Sequence, residues 1–436
     1  MKYLVIATIA LSLSLTASAA TYTWTNSTVN GDWTNRFNWD PATSFPSEPG
    51  DVIWLVNQGL GNVDGNLNIY NAAVTAGVII AQGFTNAYRI NDGYSGGRVV
   101  FTNTAGNAQI VVTNRPLSGA RYYQASLTGG TRAEFLSDTD IEIETGSTLQ
   151  MDPAWVGSRT ITKTGGGDLR GFNGSPQFTG TLVIQAGRAW HRIGGTSPLT
   201  NATVIIRGSS GSSFTCDNSD LYNRFIIEDN AALYTPFGNN LARSVYGPVT
   251  INTYGQLRVS YGTFCMTAYR GDINGNGVAV LTGGNLNSTN VVVGSVSPGT
   301  NNVGILTLDK GTCTLELGTP GDTVQLNVDV AGTGGAPGID HDLLIVSNLT
   351  AALDLSLVDL NVSGVGSGPV TNWVLFAEDG ISNGTAFASV THASGLTVNA
   401  VYDYDNSLAG IIVVPEPAVM LGIAGAAALL AVRRQR

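Results

Sequence analysis

The chain of 436 residues predicts an all-β fold of stacked coils, a β-helix or β-solenoid. Three observations predict it. Short runs rich in β-branched residues, many of them four to eight long, recur about every ten residues between Gly or Asn-Gly punctuation, as at 78–81, 98–102, 109–113, 181–185, 203–207, 224–228 and 249–252. The series continues at 290–293, 304–308, 312–317, 323–330 and 342–346, and the body contains no heptad and no apolar run at helical spacing. Composition agrees, with 55 glycines and only 12% charged residues, about half the usual charged share. A short strand with one apolar face buries that face only against neighbours, so such units are stable when stacked.

Residues 1–20, MKYLVIATIALSLSLTASAA, open with one positive charge at Lys2, continue through an apolar core, and end in small residues. This is the pattern of a secretory signal peptide, with cleavage expected after Ala19 or Ala20. The next stretch, YTWTNSTVNGDWTNRFNWDPATSFPSEPGDVIW at 22–54, holds four of the seven tryptophans. The first coil of a stack has an open edge that must be closed against aggregation, and large aromatics over a Pro-rich loop can close it. The competing reading is a glycan platform on Trp24, Trp33 and Trp39, with Asp32, Asn38 and Asp40 taking hydroxyl hydrogen bonds. Residues 21–120 therefore read as a Trp-rich cap with the first β coils, a separate β-sandwich being the other arrangement, and 121–414 as the stack itself.

Several constellations are candidates for chemistry. Asp138, Asp140, Glu142 and Glu144 alternate with Thr139, Ile141 and Ile143, so a strand would carry all four carboxylates on one face. Such a row is a solvated strand face, a Ca²⁺ site between coils, or an acid/base pair. Asp272, Asn274 and Asn276 fit the opening of a calcium-binding loop, D-x-N-x-N-G, but the twelfth position is Gly283 and the closing bidentate carboxylate is missing. A plain Asn-Gly turn is the simpler expectation there. In Asp340-His341-Asp342 an extended strand points His341 away from both aspartates. No nucleophile elbow or phosphate loop occurs in the sequence. Three cysteines (Cys216, Cys265 and Cys313) are too few for a disulfide framework and read as small buried apolar residues.

From 163 to 188 the chain reads KTGGGDLRGFNGSPQFTGTLVIQAGR. Gly165 to Gly167 suit a tight turn with positive φ, Leu182 and Ile184 alternate inward on a strand, Phe178 covers the corner, and Gly187 turns into the next coil. Through Lys163, Gly165, Gly167, Leu169, Asn173, Phe178, Gly180, Leu182, Ile184 and Gly187 the segment resembles the autotransporter-associated β-strand repeat, of which there is one clear copy. The segments 291–349 and 372–387 look like closing coils and a terminal cap of such passenger solenoids. What the resemblance implies is a right-handed parallel β-helix or β-solenoid.

The final 22 residues, PEPAVMLGIAGAAALLAVRRQR, combine Pro415, Glu416 and Pro417 with an uncharged run at 418–432 and a basic stop of Arg433, Arg434 and Arg436. The prolines hold an extended segment, the apolar run enters a bilayer as a short helix, and the arginines stay on the cytoplasmic side. Fifteen residues fall short of the roughly 20 that span a bilayer, which suits a processed sorting signal better than a lasting anchor. The pattern resembles the PEP-CTERM sorting signal of Gram-negative bacteria. That resemblance implies an exosortase partner that cuts near Pro415-Glu416-Pro417, a transient inner-membrane intermediate with a transmembrane helix, and release to the cell surface or extracellular matrix.

The chain carries a net charge of −10, and its body outside the two termini is more acidic still, with Lys163 and Lys310 its only lysines. Such a surface repels phosphate backbones, so nucleic acid is not an expected partner. The expectation is a non-enzymatic exported solenoid, secreted and sorted for a structural or adhesion role, that takes no cofactor unless Ca²⁺ binds the acidic positions. The alternatives are a polysaccharide-degrading β-helix enzyme, lyase or hydrolase, using the acidic row, and a surface protein that binds extracellular polysaccharide.

Overall fold

A computed structural model describes residues 19–414 apart from 26–30, 57–64, 71, 83–87, 92–95, 114–122, 129–131, 152–153, 172–174, 192–198, 209–210, 217–219, 229–230, 236–241, 253–255, 260–265, 277, 281–288, 300–302, 310–313, 333–334, 350, 365–369 and 393–396. The expected sorting tail (415–436), most of the expected signal peptide (1–18), Asn173, Cys265 and Cys313 lie outside the described residues. The described protein is nearly all β, broken only by two short 3-10 turns at Arg36–Asn38 and Leu355–Leu357. Expected and observed strands coincide to within about two residues; the run at 249–252, for instance, is Val249–Asn252, and 323–330 is Val324–Val330.

Among the described residues five sheets form, of 16, nine, four, four and six strands. Strands from successive stretches of chain return to the same sheet and pair in parallel, as for Ala108–Thr113 with Thr139–Ile143 and Ser147–Met151 with Asp168–Gly171. In the 16-stranded sheet every pairing is parallel except the one between Thr21–Trp24 and the edge strand Trp39–Asp40. Long, parallel-rich sheets of this kind are compatible with a β-solenoid. Within 52–113 the strands Val52–Val56, Val78–Gln82 and Ala108–Thr113 belong to the same 16-stranded sheet as later strands such as Thr139–Ile143.

The register stacks like on like. Ile53, Ile79, Ile110, Ile141, Lys163, Ile184, Ile206, Ile227 and Ile251 are successive partners across nine strands, and all are buried. A one-residue slip would turn this whole inward column to solvent, so the column fixes the register of the sheet. Lys163 is its one polar member. In the repeat-like segment Leu182, Ile184 and Phe178 are buried as expected, Gly165 (φ 71°) and Gly187 (φ 67°) adopt positive φ, and Phe178 packs edge-on against Trp155 with ring centroids 5.6 Å apart.

The two ends differ. At the start Trp24, Trp33 and Trp39 pack into one another beside the first strands. At the end Thr397–Asp403 and Leu408–Val414 form an antiparallel pair that continues the six-stranded sheet. Among the described residues no helix is long and apolar enough to cross a membrane.

Candidate functional site

Trp24, Trp33 and Trp39 are 3%, 0% and 1% exposed. Trp39 meets Trp24 and Trp33 in edge-to-face contacts with centroids 4.8 and 5.1 Å apart. The Trp33 indole N–H donates to the Pro46 carbonyl at 3.0 Å, and that of Trp39 donates to the Trp33 carbonyl at 2.7 Å. A sugar stacks on an open aromatic face, and these faces are covered by other rings. The glycan-platform reading of Trp24, Trp33 and Trp39 therefore does not hold; an indole trio with satisfied N–H groups is a packing element. Asn38 is buried as well, its amide donating to the Asp32 carbonyl at 2.9 Å.

Asp140 and Glu142 lie in the strand Thr139–Ile143, with Asp138 and Glu144 flanking it; Thr139, Ile141 and Ile143 are buried and the carboxylates are on the outer face. Asp138 accepts from the Thr160 N–H at 2.9 Å and Asp140 from the Asn107 amide at 3.0 Å. Glu142 and Glu144 are exposed. Neighbouring strands place Thr160, Thr162 and Thr164 on one side of the row and Gln109, Val111 and Thr113 on the other. Among the described residues no three acidic, His or Cys side chains gather around a common point.

The Asp340-His341-Asp342 side chains do not converge. His341 is fully buried and its Nε2 lies 3.0 Å from the Trp373 carbonyl, to which it donates. Burial holds its imidazole below the usual histidine range. Asp342 accepts from the Gly304 and Asp329 N–H groups at 2.6 and 2.7 Å, and burial pushes its carboxyl up to about 7 against those two donors. Asp340 accepts from the Ala336 N–H at 3.0 Å. The triplet ties a loop to the strands Val324–Val330 and Asn372–Ala377 and to Gly304, just before the strand Ile305–Asp309. His191 is likewise buried, its Nδ1 2.8 Å from the Gly171 carbonyl.

Asp272, Asn274 and Asn276 form neither a calcium-type loop nor a plain turn. They sit in the strand Asp272–Asn276, with Ile273 inward, because this stretch pairs in parallel with Val249–Asn252 and Ser295–Pro298. Both Asp272 carboxylate oxygens are occupied by donors. Ser295 and Ser297 hydroxyls reach Oδ1 at 2.7 and 2.9 Å, and the Asn274 amide reaches Oδ2 at 2.8 Å.

That strand opens a polar ladder across the last five strands of the long sheet. The Asn327 amide donates to Ser297 at 3.1 Å, that of Asn361 to Asn327 Oδ1 at 3.2 Å, and Thr391 to Asn361 Oδ1 at 3.0 Å. On the neighbouring rung Asp359 accepts from Thr323 and, at 2.5 Å, from Ser389, and these two hydroxyls hold its carboxyl below the usual range. A shallow groove of about 640 Å³ runs along this face beside Arg270, which pairs with Asp322 at 3.5 Å. Two glycines of its lining pack against neighbouring backbone: a Cβ at Gly271 would lie 2.3 Å from the Gly247 carbonyl, and one at Gly294 2.2 Å from that of Gly271. Sequence reading missed the ladder because its members lie about 20 to 35 residues apart. The signal was there in the alternation of DIN, SVS, QLNVD, DLNVS and SVT at 272–274, 295–297, 325–329, 359–363 and 389–391.

In comparisons with known proteins, no family model, no curated protein and no solved structure matches this chain.

Proposed function

We propose that the chain is an exported protein of a Gram-negative cell surface or extracellular matrix, trimmed by an exosortase at Pro415-Glu416-Pro417, whose body is a right-handed parallel β-solenoid with a structural or adhesive role. The observation that carries the reading is the bracketing of one extended, parallel-stranded body by an export-type leader and a Pro-Glu-Pro, apolar and basic tail. A stack of this kind offers long, regular faces and stabilises each coil by its neighbours, which suits a protein whose work is to present surface. The acidic row, the candidate acid/base set, lies along an open outer strand face, where Asp138 and Asp140 hydrogen-bond to a neighbouring strand and loop.

The test is fractionation. Replacing Pro415, Glu416 and Pro417 with alanine should leave full-length protein in the inner membrane, whereas the parent reaches the surface or medium shortened at its tail. Equal surface release of both forms would refute the sorting reading.

A second reading, binding of extracellular polysaccharide, is favoured by the polar groove beside Asp272 rather than by the tryptophans.

A further inference from the structure

We propose that the outer face of the long sheet, from Tyr222 to Thr391, binds a linear neutral polysaccharide whose chain runs along the stack. The proposal rests on the surface-protein reading and names the ligand class of its groove. Seven strands contribute, from Arg224–Ile227 to Ser389–His392, and six steps of about 4.8 Å give a strip roughly 29 Å long. One strand step is close to the length of one sugar unit in an extended chain, so each unit meets an equivalent set of groups.

The chemistry of the strip is that of sugar hydroxyls. Asp272 and Asp359 are engaged by Ser295, Ser297, Thr323 and Ser389, which fixes the direction in which those hydroxyls donate and leaves their lone pairs as acceptors, one of those on Ser297 already taken by the Asn327 amide. The exposed Gln325 amide and the Arg270 guanidinium add donors. At the other end Tyr222 and Tyr246, 48% and 42% exposed, stack in parallel with centroids 4.7 Å apart and form an apolar shoulder. They occupy the same corner position, one and two coils back, as Arg270, since the Tyr246 N–H donates to the Leu221 carbonyl and the Arg270 N–H to that of Val245. The carboxylates of Asp272, Asp329 and Asp359 on the strip and a net charge of −10 exclude polyanionic chains by repulsion.

Affinity electrophoresis of residues 20–414 in gels containing a neutral mixed-linkage glucan should show retardation that alginate does not cause. The Gln325→Ala/Thr391→Ala variant should weaken retardation at least tenfold with an unchanged melting temperature, and Tyr246→Ala should weaken it as well. Absence of retardation in neutral glucans, retardation by alginate alone, or full binding by both variants would overturn the proposal. Fractionation separates the two readings: surface-released protein that binds no glucan defeats only this inference, and glucan-binding protein held in the cytoplasm defeats only the sorting reading.

An independent observation points to the processing site. The Ala20 N–H donates to Asp51 Oδ1 at 3.0 Å, Asp51 is 1% exposed, and its other oxygen accepts from the Ser47 and Glu48 N–H groups at 3.0 Å each. The Ala20 carbonyl in turn accepts from Val52 at 2.8 Å. We infer that export cleavage falls after Ala19 and that the new α-ammonium of Ala20 pairs with Asp51. Hydrolysis by a signal peptidase adds hydroxyl to the Ala19 carbonyl and hydrogen to the Ala20 nitrogen, which then protonates at neutral pH. Cleavage after Ala20 would discard the contact. Mass spectrometry of the exported protein should find Ala20 first, and chemical acetylation of that amine should lower the melting temperature of the parent but not of Asp51→Asn. A mature terminus at Thr21, or equal effects of acetylation on both proteins, would refute it.

Discussion

Lys163 is the residue whose environment departs most from its kind. It stands in a column of isoleucines, fully buried, and turns its Nζ to the carbonyls of Gly165 and Ala186 at 2.7 Å and Thr164 at 3.2 Å. These are carbonyls of the turn that closes one coil and of its counterpart in the next, so one side chain ties two turns together. Burial pushes the ammonium down to about 8, with Asp168 opposing. The folded value is below the unfolded one, so between about pH 8 and 10.5 the unfolded chain holds the extra proton and stability from this group rises with pH. Denaturant titrations of the parent should show that rise, at most about 3 kcal/mol, and Lys163→Met should abolish it. At pH 7 the same variant should be less stable by about 1–3 kcal/mol, because three carbonyls lose their donor.

Between elements, stability depends on closing edges and on the close approach of coils. The aromatic end around Trp39 covers the first strands, and Trp39→Ala removes a fully buried indole from contact with Tyr22, Trp24 and Trp33. A loss of about 3–5 kcal/mol is expected, with new oligomers in size-exclusion chromatography as the end opens. At the corner of Gly247, Gly271 and Gly294 successive backbones approach too closely for any Cβ. Gly271→Val should therefore split the stack locally, and limited proteolysis should cut first near residue 271 while the coils before residue 223 stay protected. Simultaneous cutting along the whole body would instead indicate a single cooperative unit. Strand positions were legible because alternation and glycine punctuation are local. Asp272 to Asn276 misled because its DINGN carries the residues of a turn, and parallel neighbours on both sides override that preference.

For the whole molecule, sheet architecture is the sum of repeated local decisions, and that is why an all-β, parallel-rich body could be read from 436 letters. Circular dichroism of residues 20–414 should accordingly show a β spectrum with almost no helical signal, and a strong helical one would contradict the architecture. By itself the sequence determined the strand-turn rhythm, the inward alternation of residues such as Leu182 and Ile184, and the acidic surface, since each follows from spacing and composition along a short stretch of chain. Only the tertiary structure decided that the tryptophans are packed away, that Asp272 heads a ladder of hydroxyls and amides, and that Asp51 accepts from the backbone N–H of Ala20. Those outcomes depend on which coil lies over which, and stacking brings together residues that local spacing along the chain cannot pair.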